Sequence, residues 1–173
     1  MAIVTRVATG EPLESAAEVH ALLAANGLVY ERWDIGKYNP AAKPPSVGEQ
    51  DYILSVFADE VRAISDARGY RAADVVALSP STPNLDVVLA KFDKEHTHAE
   101  DEVRFVVQGR GVFTIRGDDG ELYDIEVHPG DLLAVPEGTQ HFFTLCDDRQ
   151  IQCIRLFTDT SGWTAHYVNP DGT

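Results

Sequence analysis

The spacing of apolar residues predicts two amphipathic helices in the first third of the chain. Ser15 and Glu18 form a capping-box pattern, and the helical run that follows ends at Asn26-Gly27. A second capping-box pattern, Ser46–Glu49, precedes a longer apolar stripe, which predicts a helix from Gln50 to Arg68. The members of this stripe are Ile53, Phe57, Val61 and Ile64.

After residue 72 the pattern changes to short apolar runs separated by turn residues such as Pro129-Gly130. Many short strands at close spacing predict a mainly β protein, either a sandwich or a barrel. We therefore predict a single domain over residues 1–173, with a helical flank at 1–70, a β-barrel at 71–160 and a fraying tail at 161–173. The predicted strands are Val75–Leu78, Val87–Phe92, Val103–Val107, Val112–Ile115, Leu122–Val127, Leu132–Val135, His141–Leu145 and Ile151–Phe157.

Composition and charge narrow the classes of partner. The 173 residues, 44% of them hydrophobic, suffice for one core. A net charge of −14 repels nucleic acid and anionic membranes, so we expect neither as a partner. Cys146 and Cys153 are too few to staple a secreted domain, and no apolar run approaches the ~20 residues of a membrane span. We expect a cytoplasmic protein and, since nothing demands a dimer, a monomer.

The strongest chemical signal is a row of polar residues in the predicted strand that contains Val103–Val107. Alternate residues of a strand share a face, and four polar side chains here have one parity. They are His96, His98, Glu102 and Arg104. Burying them unpaired would cost about 2 kcal/mol or more per group. A metal ion held by the imidazoles and the carboxylate would satisfy them; the alternative is an exposed polar face on an edge strand.

Two spaced motifs resemble those of the cupin superfamily. The first is His96-x-His98-x3-Glu102-x6-Gly109, and the second is Gly130-x5-Pro136-x-Gly138-x2-His141. The chain departs from the usual pattern at Ala90, where a Gly is common, and at Leu145, where an Asn is common. The resemblance implies a jelly-roll β-barrel with flanking N-terminal helices and one metal ion. The implied ligands are His96, His98, Glu102 and His141.

Within the cupins, the segment Glu95–Phe105 is similar to the metal-site strand of the acireductone dioxygenase family, and weaker likeness covers most of the chain. The resemblance implies a methionine-salvage enzyme that cleaves 1,2-dihydroxy-3-keto-5-methylthiopentene with O2. With Fe(II) the products would be formate and 2-keto-4-methylthiobutyrate. With Ni(II) they would be formate, carbon monoxide and 3-methylthiopropionate. The sequence does not choose between the two metals.

The resemblance also suggests substrate contacts. Arg104, on the metal-facing side, would neutralise the bound enediolate, and its alternative role is a salt bridge to a nearby carboxylate. An apolar slot for the methylthio group would contain Phe92, Phe142 and Trp163, because sulfur contacts aromatic rings favourably. Phe92 and Phe142 are equally well explained as barrel core. No residue is assigned to an organic cofactor.

Two other functions fit the same residues. The first is another metal cupin enzyme, such as a different dioxygenase or a sugar-phosphate isomerase; an isomerase would consume no O2. The second is a non-enzymatic cupin that binds a small ligand or a metal without turnover. An intact set of four ligands that leaves open coordination positions argues against this second function, because purely structural metal sites are usually closed.

Overall fold

The computed structural model describes residues 1–159 and 164–169. Its α-helices are α1 (Ala16–Ala25), α2 (Glu49–Val56), α3 (Ala58–Arg68) and α4 (Leu85–Leu89), and short 3-10 helices cover Ile35–Lys37 and Pro40–Ala42. Its strands are β1 (Ile3–Arg6), β2 (Glu11–Pro12), β3 (Val29–Arg32), β4 (Ala72–Leu78), β5 (His96–Thr97), β6 (Glu102–Gly109), β7 (Gly111–Arg116), β8 (Leu122–Val127), β9 (Asp131–Val135), β10 (His141–Leu145), β11 (Ile151–Phe157) and β12 (His166–Tyr167). Within this part of the chain, no helix has the length and apolar character needed to cross a membrane.

Two antiparallel sheets form the body of the protein, which confirms the mainly β prediction. One sheet has the order β12-β5-β10-β7-β8-β1-β2, and the other has the order β3-β9-β6-β11-β4. A buried apolar cluster joins inward side chains of both sheets, among them Val106, Phe113 and Phe143. The sheets therefore face each other across a shared interior.

A second apolar layer lies on the outer face of the five-stranded sheet. Val103 and Phe105 of β6 point away from the interior and pack with Ile53 and Phe57 of the helical segment, and with Trp33. The ring of Phe57 meets that of Phe105 edge-on at a centroid distance of 4.7 Å. Helices α2 and α3 thus cover the five-stranded sheet from outside.

The helix predictions were partly correct. Helix α1 has the predicted capping box, with the Ser15 side chain accepting from the backbone N of Glu18. The predicted single helix Gln50–Arg68 is wrong, because Phe57 leaves the helical conformation and divides it into α2 and α3. Phe57 itself is fully buried. The Ser46–Glu49 box is also wrong, since Gly48 is the N-cap of α2.

The predicted strand Val87–Phe92 is wrong, because this segment begins with helix α4. Asn84 adopts a left-handed conformation with φ of 55°, and its carbonyl accepts from the backbone N of Val88. Val87 is 63% exposed, so its apolar character does not reflect burial. The helix is too short for the 3.6-residue period to be visible in the sequence.

Both ends of the chain contribute strands that the sequence pattern did not predict. In the predicted helical flank, β1 pairs with β8 and β3 pairs with β9. In the predicted tail, β12 pairs with β5, with His166 opposite Thr97. The single-domain organisation, the monomeric state and the cytoplasmic location stay predictions.

Candidate metal centre

Four predicted ligand residues converge in the interior between the two sheets. Glu102 begins β6 of the five-stranded sheet, whereas His96 and His141 are register partners on β5 and β10 of the seven-stranded sheet. His98 lies in the turn that connects β5 to β6. The prediction of one continuous strand was therefore wrong, because the chain crosses from one sheet to the other between His96 and Glu102.

The four side chains are buried, each at most 3% exposed, and their ligand atoms lie within 4.8 Å of one another. Glu102 Oε2 lies 2.9 Å from His98 Nε2 and 2.8 Å from His141 Nε2. His96 Nε2 is 3.2 Å from His98 Nε2. Three nitrogens and one carboxylate oxygen thus surround a common point.

Backbone carbonyls fix the orientation of all three imidazoles. His96 Nδ1 donates to the carbonyl of Lys94 at 2.6 Å, and His141 Nδ1 donates to that of Thr139 at 2.8 Å. His98 Nδ1 donates to the carbonyl of Thr164 at 2.9 Å, from the segment that precedes β12. The neutral form of each ring therefore carries its proton on Nδ1 and presents an Nε2 lone pair to the centre.

This donor set fits a metal cation. With Nδ1 protonated, the Nε2 atoms of His96 and His98 face each other with lone pairs rather than with a hydrogen between them. Two lone pairs at 3.2 Å repel each other, and a cation between them removes that cost. Imidazole nitrogen with one carboxylate oxygen is a ligand set that suits iron and nickel.

The electrostatics of the centre favour an ionised carboxylate. Burial alone would raise the pKa of Glu102, but the positive charge of Arg104, whose Nε donates to Glu102 Oε1, holds this pKa well below its usual range. Burial lowers the pKa of His96. A deprotonated carboxylate and a neutral imidazole are the forms that bind a metal.

Arg104 is one of the buried residues of the centre, at 5% exposed. Its Nε donates to Glu102 Oε1 at 2.9 Å, and its Nη1 lies 3.5 Å from the Sγ of Cys153. Its guanidinium carbon lies 5.3 Å from the ring centre of Phe143. Both sequence-based roles of Arg104 are compatible with this position, since it faces the interior and pairs with a carboxylate that is itself a candidate ligand.

The predicted aromatic residues are only partly brought together. The ring of Phe92 lies 6.2 Å from that of His96. Phe142 lies on the opposite face of β10 from His141, beside Thr114 in the neighbouring strand, so it does not line this interior. Trp163 lies outside the described residues. Phe143, which shares the face of His141, was missed, although the alternation along β10 carried that signal.

Other groups that shape the centre could not be predicted from the pattern of side chains along the sequence. The carbonyls of Lys94, Thr139 and Thr164 act through the backbone, which every residue has. Tyr167 places its ring 6.0 Å from that of His96, and its hydroxyl donates to the carbonyl of Lys91 at 2.7 Å. Its position depends on the pairing of β12 with β5, for which the sequence offered no signal.

Comparisons by sequence and by structure both find relatives among the acireductone dioxygenases. A sequence model of the ARD/ARD' family matches residues 42–165. An acireductone dioxygenase of Bacillus cereus is 47% identical over 163 residues, covering 90% of this chain and 93% of its own. That of Bacillus anthracis is 46% identical with the same coverage. A solved structure of acireductone dioxygenase from Bacillus anthracis, with a cadmium ion in its active center, superposes with a TM-score of 0.90 at 45% identity, covering 96% of this chain and 98% of that chain.

Proposed function

Since this chain belongs to the ARD/ARD' family, it is a dioxygenase of the acireductone class, and we propose that 1,2-dihydroxy-3-keto-5-methylthiopentene is its substrate. The substrate and O2 are the proposed small-molecule partners, and methionine salvage is the proposed pathway. The observation that carries the proposal is the buried cluster of three Nε2 atoms and one carboxylate oxygen between the sheets.

We propose that His96, His98, Glu102 and His141 hold one Fe(II) or Ni(II). When bound, the ion would supply Lewis acidity and a template for the two oxygens of an enediolate. Three neutral imidazoles and one carboxylate leave a divalent ion with one net positive charge, which attracts an anionic substrate. Intrinsic affinity rises from iron to nickel, so supply decides which ion is held.

Arg104 has two tasks in this proposal. Its Nε holds Glu102 Oε1, which leaves Oε2 directed at the nitrogens of His98 and His141. Its charge lies in a buried setting, where a guanidinium stabilises a developing oxyanion more strongly than in water. The residue therefore aligns the carboxylate and lowers the cost of placing an enediolate dianion in the interior.

For the methylthio group we propose an apolar wall that includes Phe92 and Phe143. Phe92 lies beside His96, and Phe143 lies beside Arg104, so both rings are close to where the substrate oxygens would bind. Contacts between sulfur and aromatic rings contribute about 0.3–1.5 kcal/mol. Trp163 stays a candidate from its sequence position alone, and Phe142 is not included.

Product analysis tests the function and separates it from its rivals. Protein loaded with Fe(II) should convert the acireductone, generated in situ, to formate and 2-keto-4-methylthiobutyrate with uptake of O2. The Ni(II)-loaded protein should release carbon monoxide as well. Conversion without O2 uptake would indicate an isomerase, and binding of the acireductone without conversion would indicate a binding protein. Either result would contradict the proposal.

A further inference from the structure

Two adjacent loops contain or border three of the four candidate metal ligands. Residues 98–101 connect β5 to β6, and residues 136–140 connect β9 to β10. Glu102 and Val135 are register partners in the five-stranded sheet, so the loops leave from neighbouring strand ends. Their relative position therefore sets the distances among the ligand residues within or beside them. These are His98, Glu102 and His141.

The side chain of Asp101 links the two loops. Its Oδ1 accepts from the backbone N of Glu137 at 3.1 Å. Its Oδ2 accepts from the hydroxyl of Tyr70 at 2.9 Å and lies 3.7 Å from Nη2 of Arg68. A backbone hydrogen bond from Gly138 to the carbonyl of His98, 3.0 Å long, runs beside the Asp101 link.

The same carboxylate also connects the loops to the end of helix α3. Arg68 and Tyr70 flank Gly69, whose φ of 81° ends that helix. Arg68 Nε donates to the hydroxyl of Tyr70 at 3.2 Å, and this hydroxyl donates onward to Asp101. Burial raises the pKa of Tyr70 to about 12, so the hydroxyl keeps its proton at neutral pH.

These contacts differ from an ordinary surface ion pair. Exposed pairs contribute about 0–1 kcal/mol because water screens them and side-chain entropy opposes them. The Asp101 side chain is 22% exposed, and it accepts two charge-assisted hydrogen bonds from donors fixed by the backbone and by a buried ring. Bonds of this kind are about twice as strong as neutral ones.

We propose that Asp101 is a positioning residue of the metal centre, one that holds the loop ending at His141 against the loop between His98 and Glu102 and ties both to helix α3. This inference rests on the proposed role of the four residues as metal ligands. Residues that orient ligands affect metal affinity about 10–100-fold when removed. Loss of Asp101 should therefore weaken metal binding without removing a ligand atom.

The chain offers a matched control in Asp119. This carboxylate also accepts from a backbone N, that of Glu121 at 2.9 Å, and from a tyrosine hydroxyl, that of Tyr123 at 2.7 Å. Its bonds stay within the hairpin between β7 and β8. Asp119→Ala therefore removes the same kinds of hydrogen bond as Asp101→Ala. Unlike those of Asp101, the hydrogen bonds of Asp119 do not join two ligand-bearing loops.

The experiment measures Ni(II) affinity by competition with a chromophoric chelator, together with the visible spectrum of the Co(II)-loaded protein and the Tm of the metal-free form. We expect Asp101→Ala to raise the Kd for Ni(II) at least about tenfold and to change the Co(II) spectrum. Asp119→Ala should lower Tm and leave both metal readouts unchanged. Asp101→Asn keeps an acceptor for the Glu137 N–H but loses the oxygen that accepts from Tyr70, so it should raise the Kd only severalfold.

A gentler variant covers the case in which Asp101→Ala does not fold. Tyr70→Phe removes one hydroxyl and should raise the Kd for Ni(II) severalfold, with no added effect when combined with Asp101→Asn. Equal Ni(II) affinity in wild type, Asp101→Asn and Tyr70→Phe would overturn the inference. So would equal losses of affinity in Asp101→Ala and Asp119→Ala.

The outcome for Asp101 can be separated from the outcome for the proposed function. If the wild-type protein binds Ni(II) and shows the Asp101 effect but consumes no O2 with the acireductone, the function is wrong and the inference is supported. If the wild-type protein binds neither Ni(II) nor Fe(II), both are overturned.

Discussion

At the scale of single residues, Arg104 contacts both a candidate ligand and the wall of the interior. It bonds to Glu102 through Nε and lies against Phe143 and the thiol of Cys153. Burial alone would lower the pKa of Arg104, but its contact with Cys153 and its ion pair with Glu102 raise this pKa, so Arg104 stays a cation. A fixed cation beside the proposed metal is positioned to neutralise an anionic substrate.

Replacing Arg104 by Met should therefore reduce turnover strongly. The apolar stem is retained, but the charge that would face the enediolate is lost. We expect kcat/KM for O2 uptake to fall by about 10²–10³-fold, as on removal of one oxyanion-stabilising donor.

The kinetics should be measured on Arg104→Met protein whose metal content has been verified. Arg110→Met is the matched control, because Arg110 pairs with Glu126 and Asp148 at the surface. Unchanged kinetics in Arg104→Met at full metal content would remove Arg104 from the catalytic account.

The residue types along the chain predicted the candidate ligands better than they predicted which aromatic side chain lines the interior. The residue types and spacing of His96, His98 and Glu102 predicted these ligand candidates, which the structure brings together although they do not share one strand. Sequence favoured Phe142 over Phe143, because adjacent residues of one type are distinguished only by the face on which they lie. The phase of β10 follows from His141 pointing inward, so the alternation along this strand does distinguish the two rings.

At the scale of elements, the turn between β5 and β6 matters most for the site. A continuous strand would place His96 and Glu102 in one sheet, whereas the turn moves the chain from the seven-stranded sheet to the five-stranded one. Side chains from both sheets can then meet across the interior. Residues 98–101 lack a Gly or Pro, so sequence chemistry gave no sign of this turn.

The turn between β6 and β7 depends on a single residue, Gly109, which ends β6. This residue has a φ of 72°, and a Cβ there would lie 2.2 Å from the carbonyl oxygen of Gln150. Gly10 has the same φ of 72° with no atom within 4 Å of an added Cβ. The two positions separate the cost of the backbone conformation from the cost of the collision.

We expect Gly10→Ala to lower the free energy of unfolding by about 1 kcal/mol, from the left-handed conformation alone. Gly109→Ala should lower it by about 2–4 kcal/mol, because overpacking adds about 1–3 kcal/mol. Urea titrations of the metal-free variants measure both. Equal losses would mean that the β6–β7 turn relaxes freely and does not fix the strand register.

At the scale of the whole molecule, two apolar layers have separate tasks. The layer between the outer sheet face and helices α2 and α3 stabilises the fold and contains none of the candidate ligands. The interior between the two sheets has an apolar region and a polar region, and the polar region is where the three histidines meet. The sequence predicted the sheet class from its alternation, but the strands β1, β3 and β12 were missed because their partners are distant in the chain.

Two tyrosines, Tyr70, which is buried, and Tyr30, which is partly buried, predict how stability depends on alkaline pH. Burial raises the pKa of Tyr30 and of Tyr70 to about 12 each, compared with about 10 in an unfolded chain. Each hydroxyl donates to a carboxylate, Asp131 or Asp101, so the folded state favours the protonated phenol. Their stabilisation is complete below pH ~10 and is lost as pH rises through ~12.

We therefore expect the Tm to fall steeply above pH ~10 in the wild type. A variant with Tyr30→Phe and Tyr70→Phe should be less stable at pH ~8, because hydrogen bonds are lost, and should have a flatter profile between pH ~10 and ~11.5. Thermal unfolding across this range measures both curves. Parallel curves would show that the two hydroxyls do not carry the alkaline dependence.

We propose that the four convergent residues hold the metal ion on which the acireductone dioxygenase activity depends. The most direct measurement is O2 uptake by Fe(II)-loaded protein with the acireductone generated in situ, compared with His96→Ala. We expect rapid uptake by the wild type and its loss in the variant, together with loss of bound iron. Equal uptake in the variant, or none in iron-loaded wild type, would contradict the account.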